Sequence, residues 1–501
     1  MSREVRSVVV AGSGPECWIT AAGLVRALRH RQLAVTVIDT GPASDARVGR
    51  WTLPSQRGIH GLLGIPEPHF LQHTGATFKI ASEHLKWQGE GTGFLHAHGE
   101  IGREIIGIPF YRLVQRDALD GRPERLEDYS VAGSAARLGK FARPMGEGNV
   151  LTASFTYGYH VADVPYTQYL RAHAARLGVR LASAALGAVV RSESGDIMSL
   201  RLVDGSTASA DLYVDCSGPQ ARLMGPTPER EDWSDSLPAD RMWSGFGPAA
   251  NDPPPVTRTV ASPSGWSWRA PVADATMYGH VFSSRFQDET SARAELQDFA
   301  PGLRGEPLLA RFSAGRRREC WAGNCVAIGS SAVELEPLAG ADLHLAQVGL
   351  ANLIELFPRD RTSTIEAAEY NRVMAEYADS LRDFTLAHYL AGAARAGAFW
   401  DATRAVEPPA RLAHRLDLYA ANGRINLLDQ EIFEEVDWAW LLIGSGKWPA
   451  AIELQTRDAL AKLPPQEIAA LRAQVQQLAA SMPRHVEFLR HFLTAASRAP
   501  Q

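Results

Sequence analysis

At 501 residues the chain is too long for one simple core and is expected to fold as two or three packed subdomains. Its net charge of −5, without a basic run or a basic patch interleaved with aromatics, excludes the electrostatic footprint of a nucleic-acid binder. The four cysteines, Cys17, Cys216, Cys320 and Cys325, have neither zinc-ligand nor secreted-disulfide spacing; no metal site is expected, and a reducing, cytoplasmic setting is.

No signal peptide is expected before the first strand, and no apolar run approaches the ~18 residues of a membrane span. Ser7–Ala11 reads as a buried parallel strand, Trp18 to Arg29 as a helix, and Val35–Asp39 as a second strand. Gly12-Ser13-Gly14 fills the first turn, and Asp39 lies about 20–25 residues further on, where an acid binds a ribose hydroxyl. Gly12 allows the tight turn, and Gly14 lets a pyrophosphate approach the helix N-terminus. Cys17 stands in place of the third glycine. Glu16 sets a carboxylate beside that anion site and repels it unless the side chain turns outward.

Val48–Pro54 is expected as a loop, Gly58–Gly64 as a short helix and residues 76–98 as strand, turn, strand. The last of these carries Thr77-Phe78-Lys79-Ile80. A lone lysine is usually a solvated charge; one in an apolar strand is a candidate buried amine with a lowered pKa. Residues 165–177 read as a helix, Asp204-Gly205 as a hairpin turn, and Leu212–Gly218 and Asn324–Gly329 as strands running into glycine. Asn251–Pro255 reads as a loop on an inserted β layer, and Asp342–Phe357 as a long helix. Arg361–Thr364 precedes a helical run to Arg395 broken by Gly392; Phe433–Ile443 and Pro465–Ser481 are further helices. The chain is therefore expected as an α/β module over 1–360, with β-sheet layers at about 76–130 and 225–310, and a helical part over 361–501 that closes a site with Trp438, Trp440 and Trp448.

Several segments together resemble the flavin-dependent halogenases, the tryptophan-halogenase group in particular. They are Gly61 to Lys79, Tyr157-Gly158-Tyr159-His160, Asp215–Gly218, Arg316 to Gly329, Arg382-Asp383-Phe384 to Tyr389, and Trp438 to Pro449. Ser264–Pro271 is similar to that family's W-x-W-x-I-P signature, with Ala270 for isoleucine. The resemblance implies an FAD/NAD(P)-binding, flavin-monooxygenase-like fold. It implies reduced FAD from a separate flavin reductase, O2, and chloride or bromide oxidised to hypohalous acid. The acid travels to an essential lysine, matched by Lys79, which positions it or forms a haloamine, and a small electron-rich aromatic substrate is halogenated. Keeping flavin and substrate apart, and excluding water, restrains a promiscuous oxidant. By the same resemblance Gly12, Ser13, Gly14, Trp18, Asp39, Gly49, Thr52, Gly329 and Leu338 are expected to hold the cofactor. Gly340 and Ala341 are expected to hold the halide, and Trp51, His96, His98, Trp266 and Trp268 to line the substrate side and tunnel. A homodimer is the family-level expectation.

The departures cluster at the chemistry. Where the tryptophan-specific members read P-L-E-S-T, this chain reads Pro337-Leu338-Ala339-Gly340-Ala341, followed by Asp342. Alanine replaces an acid whose general acid/base contribution is on the order of 10²–10⁴-fold. Asp342 brings a carboxylate to an anion site, and two like charges ~4 Å apart repel by ~1–4 kcal/mol. In the strap segment Arg50 replaces a glutamate and Trp51 an alanine, and His98 stands where an aromatic is usual. Two outcomes fit: a halogenase with a changed substrate, or a member that no longer halogenates and serves as another flavin monooxygenase or a non-catalytic interaction protein.

Overall fold

The computed structural model describes residues 4–144, 154–225, 229–360, 364–392 and 395–498. Ser7–Gly12 lies at the centre of a six-stranded sheet, parallel to Leu212–Cys216 on one side and to Ala34–Ile38 on the other. Val8, Val9 and Val10 are all buried, the continuous apolar run of a strand covered on both faces. Cys325–Ala327 and Arg180–Leu181 extend the sheet in parallel. The helix Pro15–Ala27 starts directly after Gly14 because Pro15 presets its first turn. It packs on Asp163–Arg176 and Asp342–Glu355, whose N-termini converge on the same end of the sheet.

The inserted layer is a seven-stranded sheet in the order Arg304–Arg311, Arg241–Pro248, Ala275–Phe282, Gly265–Pro271, Val256–Ser262, Ala81–Leu85, Gly93–Ala97. Beyond Ala97 the chain turns helical at Tyr111–Leu119. Residues 76–98 hold three strands rather than two, because the first breaks between sheets. Thr77–Lys79 belongs to a small antiparallel sheet with Gly158–Ala162 and Gly49–Trp51. Only Ile80 separates Lys79 from Ala81, where the chain enters the large sheet.

The segment expected as a loop at Val48–Pro54 thus carries a strand. Its glycine serves close approach rather than a turn: a Cβ on Gly49 would meet Met277 Sδ at 2.3 Å and the Val161 carbonyl oxygen at 2.4 Å. The C-terminal part is helical, with Thr364–Gly392 its longest element; residues 361–363, which carry the expected start of that run, lie outside the described residues. Trp438 and Trp440 are core rather than lid: Trp438 packs edge-on to Phe384 at 5.0 Å and under the Arg415 guanidinium at 4.2 Å. Among the described residues no helix is long and apolar enough to cross a membrane.

Candidate functional site

The Gly12–Gly14 turn opens a cleft of about 490 Å³. A Cβ on Gly12 would lie 2.3 Å from the Cys216 carbonyl oxygen, so only glycine lets the turn close this tightly. Ser13, Gly14 and Asp39 line the cleft together with Arg47, Arg50 and Asp163. Asp39 Oδ1 accepts the Gly41 N–H at 2.8 Å, which fixes the carboxylate at the strand end.

Glu16 does not turn outward. Its Oε2 lies 2.7 Å from where a Cβ on Gly14 would stand, so the carboxylate folds back over the turn. Arg50 holds it there, Nη1 to Oε1 at 2.5 Å, and grips Asp163 through Nε at 2.8 Å and Nη2 at 2.5 Å. Asp342 pairs with Arg47 and lies 3.9 Å from Arg50. Burial works against the Arg50 charge, but Asp163 and Glu16 outweigh it and raise its pKa. The isolated repulsions expected for Glu16 and Asp342 are therefore absorbed into one network of two guanidiniums and three carboxylates.

A wall of packed aromatic rings stands on the segment that runs from this cleft to a second cavity. Trp51 meets Trp268 edge-on at 5.1 Å, and on its other side it covers Gly340. A Cβ there would meet Trp51 Cδ1 at 2.3 Å. Gly340 has φ +65°, which glycine alone adopts at no cost, and its N–H is spent on the Pro337 carbonyl at 2.9 Å. Of the two expected halide donors, Ala341 keeps the amide that caps no turn. Trp268 lies against Gly279, and Trp266 donates to Tyr389 at 3.0 Å, whose hydroxyl in turn donates to Glu336. Burial pushes Glu336 up to about 8.

The second cavity, about 430 Å³, is lined by Leu53–Ser55, His98–Glu100, residues 154–156, His344 and residues 432–437 except 435. One extended segment therefore reaches both chambers: Arg47 and Arg50 face the cleft, Trp51 stands in the wall, and Leu53, Pro54 and Ser55 face the cavity. Lys79 lies behind His98. It is 1% exposed, and its Nζ is 2.6 Å from His98 Nε2. Burial brings Lys79 down to about 7, against the weak pull of Asp437. His98, 6% exposed, is held neutral by burial and then by Lys79. Its backbone N–H donates to the Ile80 carbonyl at 2.8 Å, and this bond sets the ring beside the lysine. His344 is likewise neutral, lowered to about 4 by burial, with Nδ1 2.8 Å from Ser55 Oγ.

Other expected site residues stand back from both chambers. Trp18 is buried under Arg171, Leu338 is core, and Thr52 Oγ1 accepts the Tyr159 N–H at 3.0 Å. Gly329 takes φ +71° against Glu16 Cγ. His96 does not line the cavity but bonds Asp437 at 2.8 Å. Asp163, Arg47 and Asp437 escaped the sequence reading. Asp163 and Asp437 left a signal, an acid in the first turn of a helix.

Comparison with known proteins agrees with this architecture. The tryptophan halogenase family profile matches residues 7–460. The chain is 29% identical to the tryptophan 7-halogenase RebH of Lentzea aerocolonigenes over 450 residues, 85% of this chain and 84% of that protein. It superposes on Xcc4156, a flavin-dependent halogenase from Xanthomonas campestris, with a TM-score of 0.91 and 33% identity, covering 98% of this chain and 99% of that one. BrvH, a flavin-dependent halogenase from Brevundimonas sp. BAL3, gives a TM-score of 0.90 and 32% identity over 97% and 99%.

Proposed function

The chain belongs to the tryptophan halogenase family, and from that premise we propose that it halogenates an electron-rich aromatic compound with hypohalous acid oriented by Lys79. The observation that carries this reading is the buried amine of Lys79, hydrogen-bonded to His98 behind a cavity that shares one chain segment with the nucleotide cleft. A donor fixed in a low-dielectric site, away from where the oxidant is made, is what a diffusible oxidant requires.

The cleft fits FAD. Gly12 lets the strand–helix turn close, Ser13 and Gly14 line the cleft that follows it, and Asp39 lines the same cleft at the end of the second strand, which supports a dinucleotide there. Arg50 neutralises the Glu16 carboxylate that would otherwise oppose the phosphates. Reduced FAD, delivered by a separate flavin reductase, supplies with O2 the oxidation of chloride or bromide. Ala341 offers a backbone donor for the halide at the N-cap of Asp342–Glu355. The protein's own part is to keep substrate off the flavin with Trp51, Trp266 and Trp268, and to present the oxidant from Lys79.

The substrate cavity carries Glu100, Glu434 and Asp437 and, among the described residues lining it, no lysine or arginine. That lining gives a free carboxylate no partner and favours a neutral or amine-bearing indole over a free amino acid. The test is direct. FAD is expected to bind the purified protein in an anaerobic titration, and with a reductase, chloride or bromide and indole the protein is expected to yield halogenated indole. K79A is expected to keep FAD binding and to lose turnover by at least about 10²-fold. Absence of FAD binding in either redox state removes the reading.

A further inference from the structure

Aromatic halogenation ends when the halogenated carbon gives up its proton, so the cavity needs a base within reach of the ring. Alanine occupies 339, where the family's acid would stand. Glu100, Glu434 and Asp437 line the cavity as His98 does, but His98 is the lining residue whose side chain bonds Lys79. Its Nε2 is 2.6 Å from Lys79 Nζ, and its Nδ1 has no hydrogen-bond partner among the described residues. The backbone bond to Ile80 and an edge contact with His96 at 6.1 Å, itself tied to Asp437, hold the ring in one orientation. An aromatic carbocycle at this position fills the same space but accepts no proton.

We propose that His98 is the base that removes the proton from the halogenated carbon and returns it to the oxidant's oxygen through Lys79. The inference rests on the halogenase reading above. In the starting state neutral Lys79 accepts the Nε2–H of His98, which leaves Nδ1 with its lone pair. The ring carbon supplies the electron pair of the new carbon–halogen bond, and the oxygen–halogen bond of hypohalous acid breaks with its pair left on oxygen. The C–H proton goes to Nδ1 and its electron pair returns to the ring. The Nε2 proton passes to Lys79 Nζ, and a proton from Nζ completes water from the departing hydroxide. One proton enters the Lys79–His98 pair and one leaves it, so the pair needs no net charge change during the step. The pair is coupled to Asp437 and faces His96 and His160, and burial holds His160 neutral.

The experiment compares wild type, H98F, H98N and H344F on indole and on indole deuterated at the halogenated carbon. Thermal midpoint and FAD affinity are measured for each. His98 resonances are also recorded in ¹⁵N-histidine-labelled wild type and K79M. H98F and H98N are expected to bind FAD as wild type does and to lose turnover by about 10²-fold. Proton removal becomes the slow step in both, so a primary isotope effect appears that wild type lacks. The ring nitrogen signals of His98 are expected to shift in K79M. The assignment is overturned if H98F and H98N turn over like wild type, if both slow without an isotope effect, or if H344F acquires that effect instead. Should H98F not fold, H98N decides alone. A wild type that halogenates no indole removes the halogenase reading and the base role together, while the His98 signals in K79M report separately whether the two side chains share a proton.

Discussion

In the nucleotide cleft, each charge that breaks the dinucleotide pattern has met an opposite charge: Glu16 and Asp163 lie on Arg50, and Asp342 lies on Arg47. Among the described residues no carboxylate is ion-paired with Lys79, and the lysine's hydrogen-bond partner is an imidazole that burial keeps neutral. The cleft conserves charge balance by pairing. Behind the cavity, whose lining keeps Glu100, Glu434 and Asp437, the lysine is instead desolvated until its pKa falls to about 7. One region holds its cations charged by pairing them; the other weakens the charge of its lysine by burying it.

The sharpest way to test this contrast is the pH dependence of stability. Lys79 titrates at about 7 in the folded protein against an ordinary 10.5. Between those values the unfolded chain binds a proton that the folded chain does not, so stability rises with pH across the window. K79M removes that slope. Its gain over wild type is expected to be greatest at pH 6 and to shrink by roughly 4–5 kcal/mol towards pH 10, read from denaturant midpoints at each pH. A constant difference across the window would mean that Lys79 keeps its charge when buried.

On the cleft side the decisive substitution is R50M, which strands Glu16 and Asp163 in a partly buried setting. Breaking one partner of a buried ion network costs about 3–5 kcal/mol, and FAD affinity should fall with it, because Glu16 then faces the phosphates unneutralised. The companion variant E16Q/R50M should recover part of the loss. If R50M costs only the ~1 kcal/mol of a surface pair, the charges are neighbours rather than a network.

The smallest effect is expected in the wall between the two regions. G340A places a methyl group against Trp51 and forces alanine to φ +65°, at a cost of about 1–3 kcal/mol. Adding W51A should restore the steric part and leave the backbone part, so a double-mutant cycle separates them. Full additivity would show that the indole does not rest on Gly340.

The strand–glycine–helix unit and the buried lysine were legible because each is local: an apolar run, a turn residue, a charge inside a strand. The pairings were not. Glu16 and Arg50 are 34 residues apart, Arg50 and Asp163 are 113 apart, and nothing in their local patterns announces the partner. Read singly, Glu16, Arg50 and Asp342 look like three defects, and only the fold turns them into one paired network. His98 and Lys79 are 19 residues apart, but their contact depends on the chain changing sheets at Ile80, a break that the alternation of residues 76–98 conceals. The family resemblance puts Trp51 at the passage; that it needs Gly340 beneath it could not be read from either residue.

That last contact makes positions 51 and 340 a single unit of variation. A side chain at 340 meets the Trp51 indole, whereas a small residue at 51 leaves room for one. Changing either position alone therefore carries a penalty that changing both together relieves in part, and the ring and the turn beneath it are constrained by one another.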